Sequence, residues 1–182
     1  MDAFILPVFS NRTMRAAALD RSLYEEVEAD PAAGRQALMV VFLASLAAGV
    51  GSGGWHGPSL RTFVVFTAIA LATWTAWAWL IAEMGRRFLP EPQTRTSFGE
   101  LLRTLGFAAA PGFLQIFAAM PGMTVPVYSI TAVWMLAAMV VAVRQALDYR
   151  HTSRAVAVCA LAGLLALVMA FGLGVLFGPT VS

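Results

Sequence analysis

Lysine is absent. All 12 basic side chains are arginine, and against 10 acidic residues they leave a formal net charge of only +2. These arginines sit in short gaps between apolar runs, with no patch of interleaved aromatics, so a pI near 9.2 does not point to nucleic acid. The single cysteine, Cys159, excludes an intramolecular disulfide and a cysteine-built metal cluster, and its apolar neighbours predict a buried structural thiol. His56 and His151 stand in no metal-binding spacing. Gly-x-Ser-x-Gly, a phosphate-cradling glycine loop and a carboxylate pair at one depth are all missing, so no enzyme activity, cofactor or metal is expected. The start, Met1-Asp2-Ala3-Phe4-Ile5-Leu6-Pro7, carries an acid where a signal peptide carries base, and Pro7 and Asn11 interrupt its apolar stretch; no cleavable leader is expected.

Apolar residues are abundant. At 59% hydrophobic and a mean hydropathy of +0.75, the chain exceeds the roughly half-apolar composition of soluble domains, and the surplus requires lipid. Residues 1–36 form the one long polar region. Within it Leu19, Leu23 and Val27 recur every four positions, on one helix face, and Ser22 with Glu25 has capping-box spacing. This predicts a short amphipathic helix, either on the membrane surface or a partner, or solvated ahead of the first span. Asp30-Pro31 has the chemistry of a fresh helix start.

A bilayer core of about 30 Å needs about 20 helical residues. Five segments approach that length, at residues 36–53, 62–83, 101–120, 126–147 and 155–177. Turn chemistry separates them: Gly53-Gly54-Trp55-His56-Gly57-Pro58, Pro90-Glu91-Pro92, Met120-Pro121-Gly122 and Asp148-Tyr149-Arg150-His151. Pro111-Gly112 falls in the middle of the third segment and predicts a kinked or re-entrant helix, because proline removes a helical hydrogen bond and clashes with the preceding turn.

Arginine placement orients the chain. With five crossings, Arg12, Arg15, Arg21 and Arg35 share a compartment with Arg86, Arg87, Arg95 and Arg103 and with Arg144, Arg150 and Arg154, while Arg61 stands alone opposite. Short arginine-rich loops stay cytoplasmic, so the expected fold is an all-α transmembrane bundle with the N-terminus cytoplasmic and the C-terminus periplasmic. Residues 1–35 form the cytoplasmic segment and 36–178 the membrane domain. His56 and His151 then fall on opposite sides. Alanine and arginine abundance without lysine suggests a GC-rich bacterial genome, hence the inner membrane.

Small residues recur at four-residue spacing, at Ala162, Ala166, Ala170, Gly174 and Gly178 and at Ala68, Ala72 and Ala76, suiting close packing within one monomer or between copies in a homo-oligomer. Trp74, Trp77 and Trp79, with Trp55 near the other boundary, suit headgroup anchoring or an aromatic ligand pocket. Glu83 ends an apolar run, where a charge is costly, and has Arg86 and Arg87 at helical pairing distance; the alternative is a proton or ion site. Ser97 and Glu100 form a second capping box, with Arg103 placed to pair with Glu100. Thr94, Thr96 and Ser97 could be modified, although a cap explains Ser97 better. Gln115, an amide inside the third span, seeks a partner among Tyr128, Ser129 and Thr131.

Tyr24-Glu25-Glu26-Val27-Glu28-Ala29-Asp30-Pro31 ahead of the first span, and Leu101-Leu102-Arg103-Thr104-Leu105-Gly106-Phe107-Ala108-Ala109-Ala110-Pro111 opening the third, resemble the small bacterial branch of the Yip domain family. Val133-Trp134-Met135-Leu136 and Ala142-Val143-Arg144-Gln145-Ala146-Leu147 are similar to its fourth span. Gly106, Phe107 and Pro111 match the family's Gly-aromatic and downstream proline. Eukaryotic members are named for interaction with Ypt/Rab GTPases, but their Asp-Leu-Tyr-Gly-Pro signature is absent here. The resemblance implies five transmembrane helices with a cytoplasmic N-terminus and no established reaction.

The expected function is therefore a non-enzymatic membrane scaffold or organiser, meeting membrane or cytoplasmic protein partners through Tyr24, Glu25, Arg86, Arg87, Arg103 and Arg144. The alternative is a small transporter or channel, with Glu83 and Gln115 lining a path beside the Pro111-Gly112 break.

Overall fold

The computed structural model describes residues 5–53, 60–91 and 96–177, and every regular element among them is helical. Two short helices, α1 (Ile5–Ala17) and α2 (Arg21–Ala29), precede α3 (Ala33–Gly53) and α4 (Leu60–Arg87). Then come α5 (Phe98–Phe107), a 3-10 helix (Ala110–Ala119), α6 (Thr124–Ala146) and α7 (Thr152–Phe177). Ala33–Ser52, Thr124–Ala146 and Thr152–Met169 are each long and apolar enough to cross a membrane, and α5 with the 3-10 helix makes a fourth candidate when its bent halves count as one span. α4, at 28 residues, is the longest helix among the described residues.

Several expectations for the N-terminal region are corrected. Pro7 and Asn11, which interrupt the apolar stretch, both lie within α1, with Pro7 its third residue, where its missing N–H interrupts no intrahelical bond. The cap of α2 is Asp20, whose carboxylate accepts from Ser22 N at 3.0 Å, so Ser22 lies inside the helix and forms no box with Glu25. Leu19 is in the turn, with a left-handed φ of 61°, and does not share the α2 face of Leu23 and Val27. That face is neither lipid-bound nor solvated, because Leu23, Tyr24 and Val27 are fully buried in the core.

The bundle is built around α3. Ala33, Ala37, Val40, Ala44, Ala47 and Gly51, all buried, alternate spacings of four and three, the period of a coiled-coil seam, with Val41 buried beside them. The bent segment runs alongside in the same direction. A Cβ added at Gly106 would stand 2.7 Å from Ala37 Cβ, one at Gly112 would stand 3.1 Å from Ala44 Cβ, and one at Gly51 would stand 2.1 Å from the Gln115 carbonyl oxygen. Small residues therefore bring the two backbones together where hydrophobic drive is absent. Pro111 cannot continue α5, and it opens the 3-10 helix at a bend of 40°.

Helix ends gather in two layers. At one end Thr96 Oγ1 donates to the Ala146 carbonyl, Tyr149 OH to the Leu89 carbonyl at 2.9 Å, and Gly85 packs on Leu147. The ends of α4 and α6 and the starts of α5 and α7 thus lie together. At the other end Tyr128 OH donates to the Ala48 carbonyl at 2.7 Å and Thr124 Oγ1 to the Ala118 carbonyl at 3.0 Å. There the ends of α3 and the 3-10 helix meet the start of α6.

The small-residue stripes divide. Ala162 is buried and Ala166 half-buried, whereas Ala68, Ala72 and Ala76 are exposed and do not pack within this chain. The packing of Ala170 and Gly174, and all of Gly178, fall outside what is described, as do Trp55, His56 and Thr94. Large apolar side chains also face outwards, Val133 at 70% and Leu167 at 69% exposed, as a lipid-facing surface requires.

Candidate functional site

The arginine-rich end is mostly bound to itself. Glu83 accepts from Arg87 at 2.5 Å and from Arg86 at 3.2 Å, the ion pair that the helical spacing predicts. Arg144 donates to Thr152 Oγ1 and the Arg150 carbonyl, each at 3.1 Å, and to the Tyr149 carbonyl at 3.3 Å, bracing the turn before α7. Arg154 pairs with Glu91 at 3.2 Å. Arg87 and Phe88 are open here, at 72% and 65% exposed.

Arg103 does not pair with Glu100. The Glu100 carboxylate accepts from Ser97 N at 2.7 Å while Ser97 Oγ accepts from Glu100 N at 3.2 Å, completing the predicted capping box. The guanidinium of Arg103 crosses to the end of α2 instead, donating to the Val27 carbonyl at 2.9 Å and to the Glu28 carbonyl. A cation on the last carbonyls of a helix also meets the negative end of its dipole.

The α1–α2 pair is pinned in the same way throughout. Tyr24 is fully buried, donates to the Ala16 carbonyl at 3.3 Å, and has its phenol pushed up by burial, so it is a core residue and offers no contact surface. Glu25 is exposed and accepts from Gln145 Nε2 at 2.6 Å. Arg12 and Arg15 converge on Glu26 at 2.8 and 2.6 Å. The hydrogen bond from Arg15 draws the Asp20 carboxyl down to about 2, and burial, with Asp148 and Glu100 adding like charge, pushes Glu28 up to about 7.

Between α3, α4, α6 and the bent segment lies a cavity of about 550 Å³. Ala44, Ser45, Ala48 and Gly49 form its α3 wall, Trp74 and Trp77 its α4 wall. Gln115, Tyr128, Met135 and Met139 close the side towards the 3-10 helix and α6. Gln115 Nε2 donates to Thr131 Oγ1 at 3.2 Å, one of the partners its sequence position suggests, while Tyr128 serves α3. Pro111 is buried but absent from the lining, and Glu83 belongs to the arginine-rich end, so the expected path of Glu83, Gln115 and Pro111 is not assembled. Gly106 serves helix contact alone.

The three tryptophans of α4 separate by face. Trp79 is 54% exposed and suits anchoring, but Trp74 and Trp77, three residues apart, turn inwards to the cavity. Trp77 Nε1 donates to Met139 Sδ at 2.7 Å, whereas Trp74 Nε1 is buried without a hydrogen-bond partner. Cys159 is buried, as its apolar surroundings predict.

Neither a curated protein nor a solved structure matches the chain. The model of the Yip1 domain matches residues 21–173, from the first residue of α2 into α7, and with most of its length covered the chain belongs to the Yip1 domain family, as a membrane protein with several transmembrane helices.

Proposed function

We propose that this protein is a non-enzymatic organiser in the bacterial inner membrane, crossing it five times with its N-terminus cytoplasmic and holding a protein partner at its arginine-rich end. Alternation of helix direction supports the five crossings. The bent segment suits one crossing: ten α-helical residues rise about 15 Å and ten 3-10 residues about 20 Å, enough for a core of about 30 Å. Gathering of Arg86, Arg87, Arg103, Arg144, Arg150 and Arg154 at one end, against Arg61 at the start of α4, supports the orientation.

The observation that carries the partner surface is the exposure of Arg87 and Phe88 beside Arg86, where neighbouring cations are engaged internally. Tyr24, Arg103 and Arg144 support this face from within, and Glu25 sits at its edge. Ala68, Ala72 and Ala76 point outwards on α4, where a second copy would pack closely. Affinity capture from native membranes tests the reading: a stoichiometric partner should be retained by the unaltered chain and lost by Arg86→Ala/Arg87→Ala. Equal capture by both would remove this face from consideration.

A further inference from the structure

We propose that the cavity between α3, α4, α6 and the bent segment binds an uncharged lipid-like molecule, an apolar chain bearing a carbonyl oxygen, with Trp74 Nε1 donating to that oxygen. This inference is independent of the partner surface at the arginine-rich end.

Three observations converge. At about 550 Å³ the space lies in the range of ligand pockets. Its described lining carries no charged side chain, and half of it is alanine, methionine and tryptophan, which excludes an ionic ligand on desolvation grounds. Four of its polar side chains donate within the protein, Ser45 to Val41, Ser52 to Gly49, Tyr128 to Ala48 and Gln115 to Thr131, and Thr73 adds a rotatable hydroxyl. Trp74 differs in holding a buried N–H with no acceptor among the described residues, and buried indole donors ordinarily have one. An acceptor that carries no proton and no charge satisfies it. Esters and ketones fit; carboxylates and ammonium groups do not.

Gly49 supplies a clean test. It lines the cavity, and a Cβ added there meets no atom within 4 Å, so Gly49→Leu starts a bulky side chain from open space beside the cavity. The full chain in lipid nanodiscs is irradiated with a diazirine-bearing palmitic acid methyl ester, with the matching diazirine hexadecane, and with phosphatidylcholine carrying the same acyl chain. Adducts are mapped by peptide mass spectrometry.

The ester should label peptides containing Met135, Met139 or Trp77 saturably. Gly49→Leu should abolish that labelling while leaving the lipid-facing Leu167–Val168 region equally labelled. Trp74→Phe should weaken ester labelling about fivefold, the value of one hydrogen bond, and leave hexadecane unchanged. Saturable labelling by the ester in excess of phosphatidylcholine identifies a free neutral lipid and supports the site; labelling by phosphatidylcholine as strong as by the ester overturns the uncharged ligand. Non-saturable labelling, insensitivity to Gly49→Leu, or hexadecane labelling as strong as the ester's with no effect of Trp74→Phe overturns it.

Discussion

The indole Nε1 of Trp134 donates to the Ala17 carbonyl at 2.7 Å, closing the last turn of α1 from a position in the middle of α6. With Arg103 on the carbonyls of Val27 and Glu28, both short N-terminal helices have their C-terminal acceptors satisfied by the bundle. The N-terminal region is thereby an integral part of the packed structure.

Removing that donor should loosen α1. Trp134→Phe is expected to lower unfolding free energy in detergent by about 1 kcal/mol, the usual net value of one hydrogen bond. Trp79→Phe, at an exposed position, should be close to neutral. Thermal unfolding of both variants checks this, and equal midpoints would show that the Ala17 contact contributes nothing.

Glycines at the α3 seam should be irreplaceable in a graded way. Gly51→Ala and Gly106→Ala force a methyl group against backbone or Cβ atoms at 2.1 and 2.7 Å and should each cost about 1–3 kcal/mol, the range for overpacking. Gly49→Ala, facing open space, should be tolerated. Denaturant titration of the three variants separates the cases.

Stability should fall with rising pH because of Glu28. Its folded-state carboxyl titrates at about 7 against an ordinary 4.5, so between those values the folded chain holds a proton that the unfolded chain has released. The contribution is complete below pH 4.5 and is lost as pH rises through 7. Asp20 acts oppositely, its contribution present above 3.8 and lost as pH falls towards 2. Melting temperatures from pH 5 to 8 should decline in the unaltered chain and flatten in Glu28→Gln; parallel curves would exclude Glu28 as the source.

Five crossings make a directional prediction. In intact cells an impermeant maleimide should label Arg61→Cys, and Arg87→Cys should react only in inverted vesicles. Buried Cys159 should stay silent in both. Labelling of both engineered sites from the same side would remove the topology.

Long apolar runs and their punctuation were legible because hydropathy and proline chemistry act locally: α3, α4, α6 and α7 lie within a few residues of their expected bounds. The break at Pro111 was legible for the same reason. Competition among neighbours was not. Asp20 displaces Ser22 as the cap of α2, and Glu100, occupied by its own cap, leaves Arg103 to find carbonyls 75 and 76 positions away. The cavity depends on which face of α4 turns inwards. Spacing puts Trp74 and Trp77 together but cannot orient them, so the unpaired indole donor was visible only in three dimensions.

Because α3 meets its neighbour through alternating steps of four and three, its contacts depend on register. Deleting one residue near Val40 would rotate everything beyond it by about 100°, swinging Ala44 and Gly51 away from the bent segment and bringing the larger Ser45 and Ser52 round in their place. A seven-residue deletion would come within about 20° of restoring the phase while shortening the rod by about 10 Å. Length variation in α3 is therefore tolerable only in whole heptads, and only as far as the bilayer's thickness permits.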